Sequence, residues 1–419
     1  MTSRERVGRV LNHQVPDRLP VDLGGMHCSG AHVSIVYGLR QALGLDEPGE
    51  PVKVCDCYQM TGQIDLELID ALQLDIALVP SLYTMFGFPV TGWKTWRTFD
   101  GTPVLVPGLF NTDADEDGCI RQYPGGDKTA PPSGIMPDGG FYFDAIVRQE
   151  PIDDSKLNPE DNLEEFAPVS DEYLEFLQKG VDEYHANTDL ALTIGIPGAA
   201  FGDIALVPAP WLARPKGIRD IEEWYVSTVT RRDYLGEVFA RQADICIENI
   251  KVIHQAVGDK VQLAGMDGTD LAAQDSLFCS PEAYAELYLP HAKKLNDYVH
   301  QHTAWKTIKH CCGACEPMIP KFIEAGYDVL NPVQCSAGGM DPKLLVDKYG
   351  DDIVFWGGGS DTQKTLPFGE PAEVYEQAKS RAEILSAKNG YIFNAVHTIQ
   401  CNTPIENVLA MFRAVGRDV

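Results

Sequence analysis

A chain of 419 residues with 44% hydrophobic and 23% charged residues has ordinary globular proportions and can bury a large core. Its net charge of -27, with lysine and arginine scattered rather than clustered, argues against DNA, RNA or an acidic membrane as a partner. No apolar stretch approaches the roughly 18 residues needed to span a bilayer, and the polar opening Met1-Thr2-Ser3-Arg4-Glu5-Arg6 carries no export signal, so a cytoplasmic protein with all 11 cysteines reduced is expected.

The opening residues begin a helix, and the short run Leu19–Leu23 is a candidate strand. Leu74–Pro80 is the next compact apolar run. From Pro89 to Asp144 the composition changes to Gly, Pro and Asp with short apolar pieces. Trp93–Phe99, Pro103–Pro107 and Gly140–Phe143 read there as extended segments between turns such as Asp100-Gly101, Asp117-Gly118 and Gly125-Gly126. Residues 89–144 are therefore expected to form a β-rich insertion in a single domain spanning 1–419, not a domain of their own. Beyond it, Leu190–Ile196, Val261–Met266, Trp305–His310, Tyr327–Pro332, Ile353–Gly358 and Tyr391–Val396 suit strands covered on both faces. Helical stretches separate them at Ile221–Val257, Ser280–His302, Glu316–Ala325, Pro371–Lys388 and Pro404–Ala414. Ser280-Pro281 and Thr403-Pro404 look like capped helix starts, and Gly326 like a helix stop.

Buried strands alternating with helices predict an α/β fold, a parallel (β/α)8 TIM barrel, with Leu19–Leu23 as the candidate eighth strand. An open doubly wound sheet is the alternative, weakened by the absence of a Gly-x-Gly-x-x-Gly or Gly-Lys-Ser/Thr phosphate loop. A barrel builds its active site at the carboxyl ends of its strands. Reading each strand to its end gives Asp267, Asp270 and Gln274; then His310-Cys311-Cys312-Gly313-Ala314-Cys315; then Asn331 to Cys335 with Gln334; then Asp361; then His397 and Cys401. His310 and Cys312, two apart just past a strand, can face one point, and Cys401 leaves a strand that the barrel curls back beside them. Three N/S ligands suit zinc and leave a coordination position open for catalysis. Cys312-x-x-Cys315 is a rival, as a redox pair or as half of a four-thiolate site with Cys55-x-Cys57. Asp267, Asp270, Gln274, Gln334 and His27 are candidate substrate-binding groups, and Asp361 and His397 candidate orienting or acid–base groups. His13 and His32 sit in helical contexts, and Cys119, Cys246 and Cys279 read as incidental thiols.

Several stretches resemble the uroporphyrinogen decarboxylase-like superfamily. They are Arg4-Glu-Arg-Val7, Pro16-Asp-Arg-Leu-Pro-Val-Asp22, Ile319–Gly326, Asn331–Gln334, Phe355–Gly358, Asp361–Gln363 and Pro404–Val408. The resemblance implies a (β/α)8 barrel. It also implies a choice between a metal-free decarboxylase and zinc-dependent methyltransferases that exchange methyl groups with a corrinoid (cobalamin) protein. The methyltransferase branch carries a His-x-Cys pair and a far C-terminal Cys as zinc ligands, and His310, Cys312 and Cys401 stand in matching places. The decarboxylase carries an arginine-rich signature near its N-terminus for its polycarboxylate substrate. Here Leu19–Gly25 holds no arginine.

The resemblance thus implies a zinc-dependent methyltransferase acting on a small methyl ether, methylamine or thiol. Its corrinoid is expected on a separate protein, since the chain has no Asp-x-His-x-x-Gly motif. A non-catalytic zinc-storing or redox-sensing protein is the reading from a different class, and the oligomeric state is not legible.

Overall fold

The computed structural model describes residues 1–419. Its centre is a seven-stranded parallel sheet taken up in chain order: β1 (Ile76–Leu78), β2 (Ala191–Gly195), β3 (Leu263–Asp267), β4 (Lys306–His310), β5 (Val329–Asn331), β6 (Val354–Trp356) and β7 (Tyr391–Ile392). Each matches an apolar run expected to be a strand, β3 alone running one residue past its run, to Asp267. Strands covered on both faces need apolar residues at nearly every position, and that continuity is what marks them in the sequence.

The sheet curls so that the Leu19–Leu23 run closes it. Val21 bridges Phe393 in parallel, with the Phe393 N–H donating to the Pro20 carbonyl and the Asp22 N–H to the Phe393 carbonyl. On the other side the Asp75 N–H donates to the Val21 carbonyl. Inside the ring each strand contributes an apolar residue to one cluster, from Ile76 through Ile308 to Ile392, and Val7, Val10 and Leu11 plug its amino end. They reach it from the N-terminal helix Ser3–Val10, which begins with a reciprocal cap between Thr2 and Glu5. A second, larger core of 89 residues fills the layer between sheet and helices.

Helices differ from expectation mainly where the chain bends. The stretch expected over Ile221–Val257 is two helices, Ile221–Thr230 and Arg232–Val257, meeting at the non-helical Arg231. Ser280 caps Pro281–Leu287 by accepting from the Ala283 N–H, and a second helix, Leu289–His302, follows at once. Pro404, not Thr403, is the N-cap of Ile405–Arg413, and no side chain caps it. Asp171–Asn187, capped by Ser170, is a helix the apolar pattern did not single out, because its 17 residues bury only Leu177 and Val181 completely. No helix is long and apolar enough to cross a membrane.

Residues 94–145 hold two small sheets apart from the central one. In one, Lys94–Arg97 pairs with Pro103–Val106, which pairs with Val52–Asp56, which in turn pairs with Thr61–Gly62; Ile120–Gln122, Gly134–Met136 and Asp144–Ala145 form the other. Gly140–Phe143, expected to be extended, belongs to no strand. It fastens this region to the barrel instead: the Phe143 N–H donates to the Tyr58 carbonyl, and the Tyr142 hydroxyl accepts from the Cys401 N–H at 3.0 Å.

Candidate metal centre

The carboxyl ends of the strands converge on His310, the last residue of β4. After it the chain turns at Gly313, where φ is +82° and a Cβ would lie 2.5 Å from the carbonyl oxygens of Ala272 and Ala273. Only glycine lets the loop after β4 pack this closely on the loop after β3. That packing brings the Cys312 N–H to Asp270 Oδ1 at 2.6 Å. The closing segment runs into the short turn His27–Ser29, which carries Cys28. Asn331 ends β5, and His397 follows β7.

The imidazole of His310 stands between two groups of donors. Its Nδ1 lies 3.1 Å from Cys28 Sγ and 2.9 Å from Asn331 Oδ1. Its Nε2 lies 3.4 Å from Cys312 Sγ and 3.8 Å from Asp270 Oδ1. His397 meets the ring edge-on, centroids 5.5 Å apart. Cys28, His310 and His397 form one set with ligand atoms within 4.8 Å of one another, and Asp270, His310 and Cys312 form another, all half-buried. Each set offers nitrogen with sulfur, the donor types zinc takes in proteins.

Charge at the site is governed by burial. It pushes the His397 pKa down to about 4, helped by neighbouring His310, which keeps that imidazole neutral and able to ligate. Burial also pushes the Cys312 thiol up to about 11. For His310 burial opposes protonation, but the thiols of Cys28 and Cys312 outweigh it and hold the ring above the ordinary histidine range.

Cys401 departs from the expectation: its sulfur belongs to neither donor set. The chain leaves the rim just after His397. The Ile399 N–H donates to the Gly30 carbonyl and Thr398 Oγ1 to the Cys28 carbonyl, and by Cys401 the backbone has reached Tyr142. The residues that do stand beside His310 from these two segments are His397 and Cys28. The four-thiolate alternative also fails to assemble, since each donor set holds one cysteine. Cys311 and Cys315 are buried, and the Cys315 thiol donates to the Cys311 carbonyl at 3.6 Å. Cys55 lies in the strand Val52–Asp56 of a small sheet, with Cys57 just past its end. All eleven cysteines are free thiols.

Other residues singled out from the sequence hold the frame. Asp267 is buried and accepts from Lys309 Nζ at 2.8 Å and from the Tyr327 hydroxyl at 3.1 Å, an ion pair between β3 and β4. Asp361 Oδ1 accepts from the Gln363 N–H at 3.0 Å and so fixes the loop after β6. Gln334 accepts from the Gly313 N–H at 2.7 Å and donates to Gln274 Oε1 at 3.0 Å, tying three strand-end loops together. His27 and Gln274 are exposed on the rim.

Asn331, Asp203 and Asp22 are polar residues that strand-end reasoning passed over as site groups, and it reads Cys28, beside His27 after the first short strand, only as able to line the pocket. Cys28 lies in the turn His27–Ser29 that follows the closing strand Leu19–Leu23, so the same rule, read a few residues past that strand, finds it. Asp203 follows β2. Burial, with Asp270 and Asp267 nearby, pushes its carboxyl up to about 7. It approaches so closely that a Cβ on Gly268 would lie 2.3 Å from its Oδ2.

Asp22 is fully buried and accepts from the Gly25 N–H, Trp356 Nε1 and Asn394 Nδ2. Burial outweighs these donors and pushes its pKa up to about 7. The unfolded carboxyl ionises near pH ~4, so between there and about 7 the folded state binds more protons, and stability falls as pH rises through that window. Measured by urea unfolding at about pH 5 and about pH 8, the wild type should lose stability relative to Asp22→Asn at the higher pH. An unchanged difference at the two pH values would refute the raised pKa.

Fold and site together define a parallel α/β barrel protein with thiol, imidazole and carboxylate donors gathered at its carboxyl rim. A model of the uroporphyrinogen decarboxylase (URO-D) family matches residues 168–417, more than half of the sequence, and the chain belongs to that family. It is 27% identical over 137 residues to the uroporphyrinogen decarboxylase of Carboxydothermus hydrogenoformans, a match spanning 32% of this chain and only 36% of that relative. Among solved structures, a methyltransferase from Methanosarcina mazei superposes with a TM-score of 0.54 at 14% identity, covering 99% of this chain and 98% of that one. At that identity the likeness speaks to the fold alone.

Proposed function

We propose that this chain is a zinc-dependent methyltransferase that moves a methyl group between a small substrate and the cobalt of a separate corrinoid protein. The observation that carries the reading is the gathering of two thiols, a second imidazole and a carboxylate around His310 at the barrel's carboxyl rim. Zinc bound there supplies Lewis acidity toward a methyl ether or methylamine, or stabilises a thiol acceptor as thiolate. The ion is held at His310, with His397 and Cys28 taking the role expected of Cys401. Asp270, held by the Cys312 N–H, lies with Cys312 on the Nε2 side of His310 and adds a carboxylate to the donors there. Asp267 and Asp361 shape the loops, while His27 and Gln274 on the rim face the incoming substrate and partner. The whole chain is read as one cytoplasmic barrel domain, with 89–144 an insertion that shapes its mouth.

Family membership favours decarboxylation of a polycarboxylate as the second reading. Charge opposes it. Asp203, Asp267 and Asp270 stand at the strand ends where such a substrate would have to bind, and Lys309 is already paired with Asp267. A zinc-storage role would favour several thiolates on one ion, and each donor set holds a single cysteine.

The test uses protein purified anaerobically. Zinc per chain is measured, and cob(I)alamin is then supplied with a methyl ether or a methylated amine, or methylcobalamin with a thiol. About one zinc per chain and a change in corrin absorbance with one of these substrates are expected. Absence of zinc together with decarboxylation of uroporphyrinogen would replace the reading with the decarboxylase.

A further inference from the structure

Building on the methyl-transfer reading above, we propose that Asp203 is a catalytic acid that protonates the departing oxygen of a methyl ether, which makes ethers the substrate class.

Asp203 lies in the long connection between β2 and the helix Ile221–Thr230, at the carboxyl rim. Its own turn aims the side chain: Oδ1 accepts from the Ala205 N–H at 2.9 Å, and its carbonyl accepts from the N–H groups of Leu206 and Val207. The connection is tied to the loop after β3. Thr269 Oγ1 donates to the Phe201 carbonyl at 2.7 Å, and the Tyr225 hydroxyl to the Asp270 carbonyl at 2.6 Å. These ties seat Asp203 Oδ2 against Gly268, where any side chain would displace it. Just beyond Gly268, Asp270 Oδ1 is 3.8 Å from His310 Nε2. Asp203 thus stands beside the donor cluster and is only half-buried, open to what enters the mouth.

Three carboxyls meet here, and their partners differ. Asp267 accepts from Lys309 Nζ, the Tyr327 hydroxyl and the Thr269 N–H. Asp270 accepts from the Cys312 N–H at 2.6 Å. Asp203 has the Ala205 N–H on Oδ1, while neither a cation nor any other donor reaches Oδ2. It is the carboxyl least stabilised as an anion, and so the one that keeps a proton. Burial pushes it up to about 7, with Asp270 and Asp267 adding to the rise and His310 opposing it.

Among the substrates considered, only an ether needs that proton. A thiol acceptor has a proton to lose, and a methylated amine arrives already protonated. An ether oxygen leaves as an alkoxide or phenoxide unless it is protonated as the bond breaks. In this step the electron pair of cobalt(I) on the partner forms the cobalt–carbon bond, and the carbon–oxygen pair stays on oxygen. The proton on Asp203 Oδ2 passes to that oxygen and releases an alcohol or phenol. The carboxylate left behind recovers a proton from water.

Asp203→Asn separates this role from a structural one, because the amide oxygen still accepts from Ala205 while the proton is lost. Single-turnover methyl transfer to cob(I)alamin is measured for wild type and variant with anisole and with para-nitroanisole, whose phenoxide leaves without help. The variant is expected to lose about 100-fold or more on anisole and far less on para-nitroanisole. Its zinc content and thermal melting should match the wild type. An equal loss on both ethers, or no loss on either, overturns the proposal. So does a zinc-loaded wild type that demethylates neither ether yet methylates a thiol from methylcobalamin, a result that leaves the methyltransferase reading standing. A wild type without zinc and without methyl transfer overturns that reading as well.

Discussion

His310→Ala is expected to lose its zinc and its methyl-transfer activity together. The imidazole is shared by both donor sets, so no single-residue change removes more of the site. A metal acting as Lewis acid contributes several kcal/mol to such a step, and about 4 kcal/mol corresponds to a loss of about 1,000-fold in rate. Elemental analysis beside a single-turnover assay with cob(I)alamin reads both quantities. Cys401→Ser is the informative companion, because its sulfur belongs to neither set and its backbone N–H bond to Tyr142 survives the change. It should keep its zinc. A variant that loses zinc at Cys401 and retains it at His310 would refute the arrangement around His310.

The largest effect on stability is expected at the opposite end of the barrel. Asp75, just before β1, is completely buried and binds three guanidinium groups: Arg6 at 2.5 Å, Arg18 at 2.7 Å and Arg417 at 3.3 Å. It also accepts from the Ser3 hydroxyl and the Val21 N–H. One carboxylate thereby ties the N-terminal helix, the closing segment, β1 and the C-terminal residues together. Arg417 is 4% exposed and has no other carboxylate partner, so removing Asp75 strands its buried charge, while Arg6 keeps its pair with Asp17. Breaking a buried pair by deleting one partner costs about 3–5 kcal/mol, and Asp75→Ala should show that loss in urea unfolding. Zinc per folded chain should be unchanged, because the carboxylate lies at the amino end of the ring and the donors at the carboxyl end. A loss under about 1 kcal/mol, the range of an exposed pair, would mean that water reaches the cluster.

These two ends of the barrel differ in how far they can be read from the chain. The closing role of Leu19–Leu23 is half legible: its apolar character marks a strand, yet its pairing with Phe393 joins residues hundreds of positions apart and that with Asp75 residues about fifty apart. Asp75 itself carries no sequence mark, because an aspartate before a strand is ordinary until three arginines from separate segments are folded onto it. Tyr142 is similar. Its aromatic neighbours imply extended chain, whereas in the fold it pins the loop that carries Cys401.

Local pattern by itself determined the barrel and the rim on which the chemistry sits. Strands buried on both faces must be apolar throughout, and polar residues crowd where such strands end, so His310, Cys312, Asp270 and His397 were found by position alone. Which of them stand side by side was decided only by tertiary structure. Cys401 is four residues beyond His397, a separation that leaves the path of the loop undetermined. Hydrogen bonds to Gly30 and Tyr142, from distant parts of the chain, carry Cys401 away while Cys28 and Asn331 close on the ring. Ligand sets are fixed by angles and distances of a few ångströms among several loops, and spacing along one loop does not encode them.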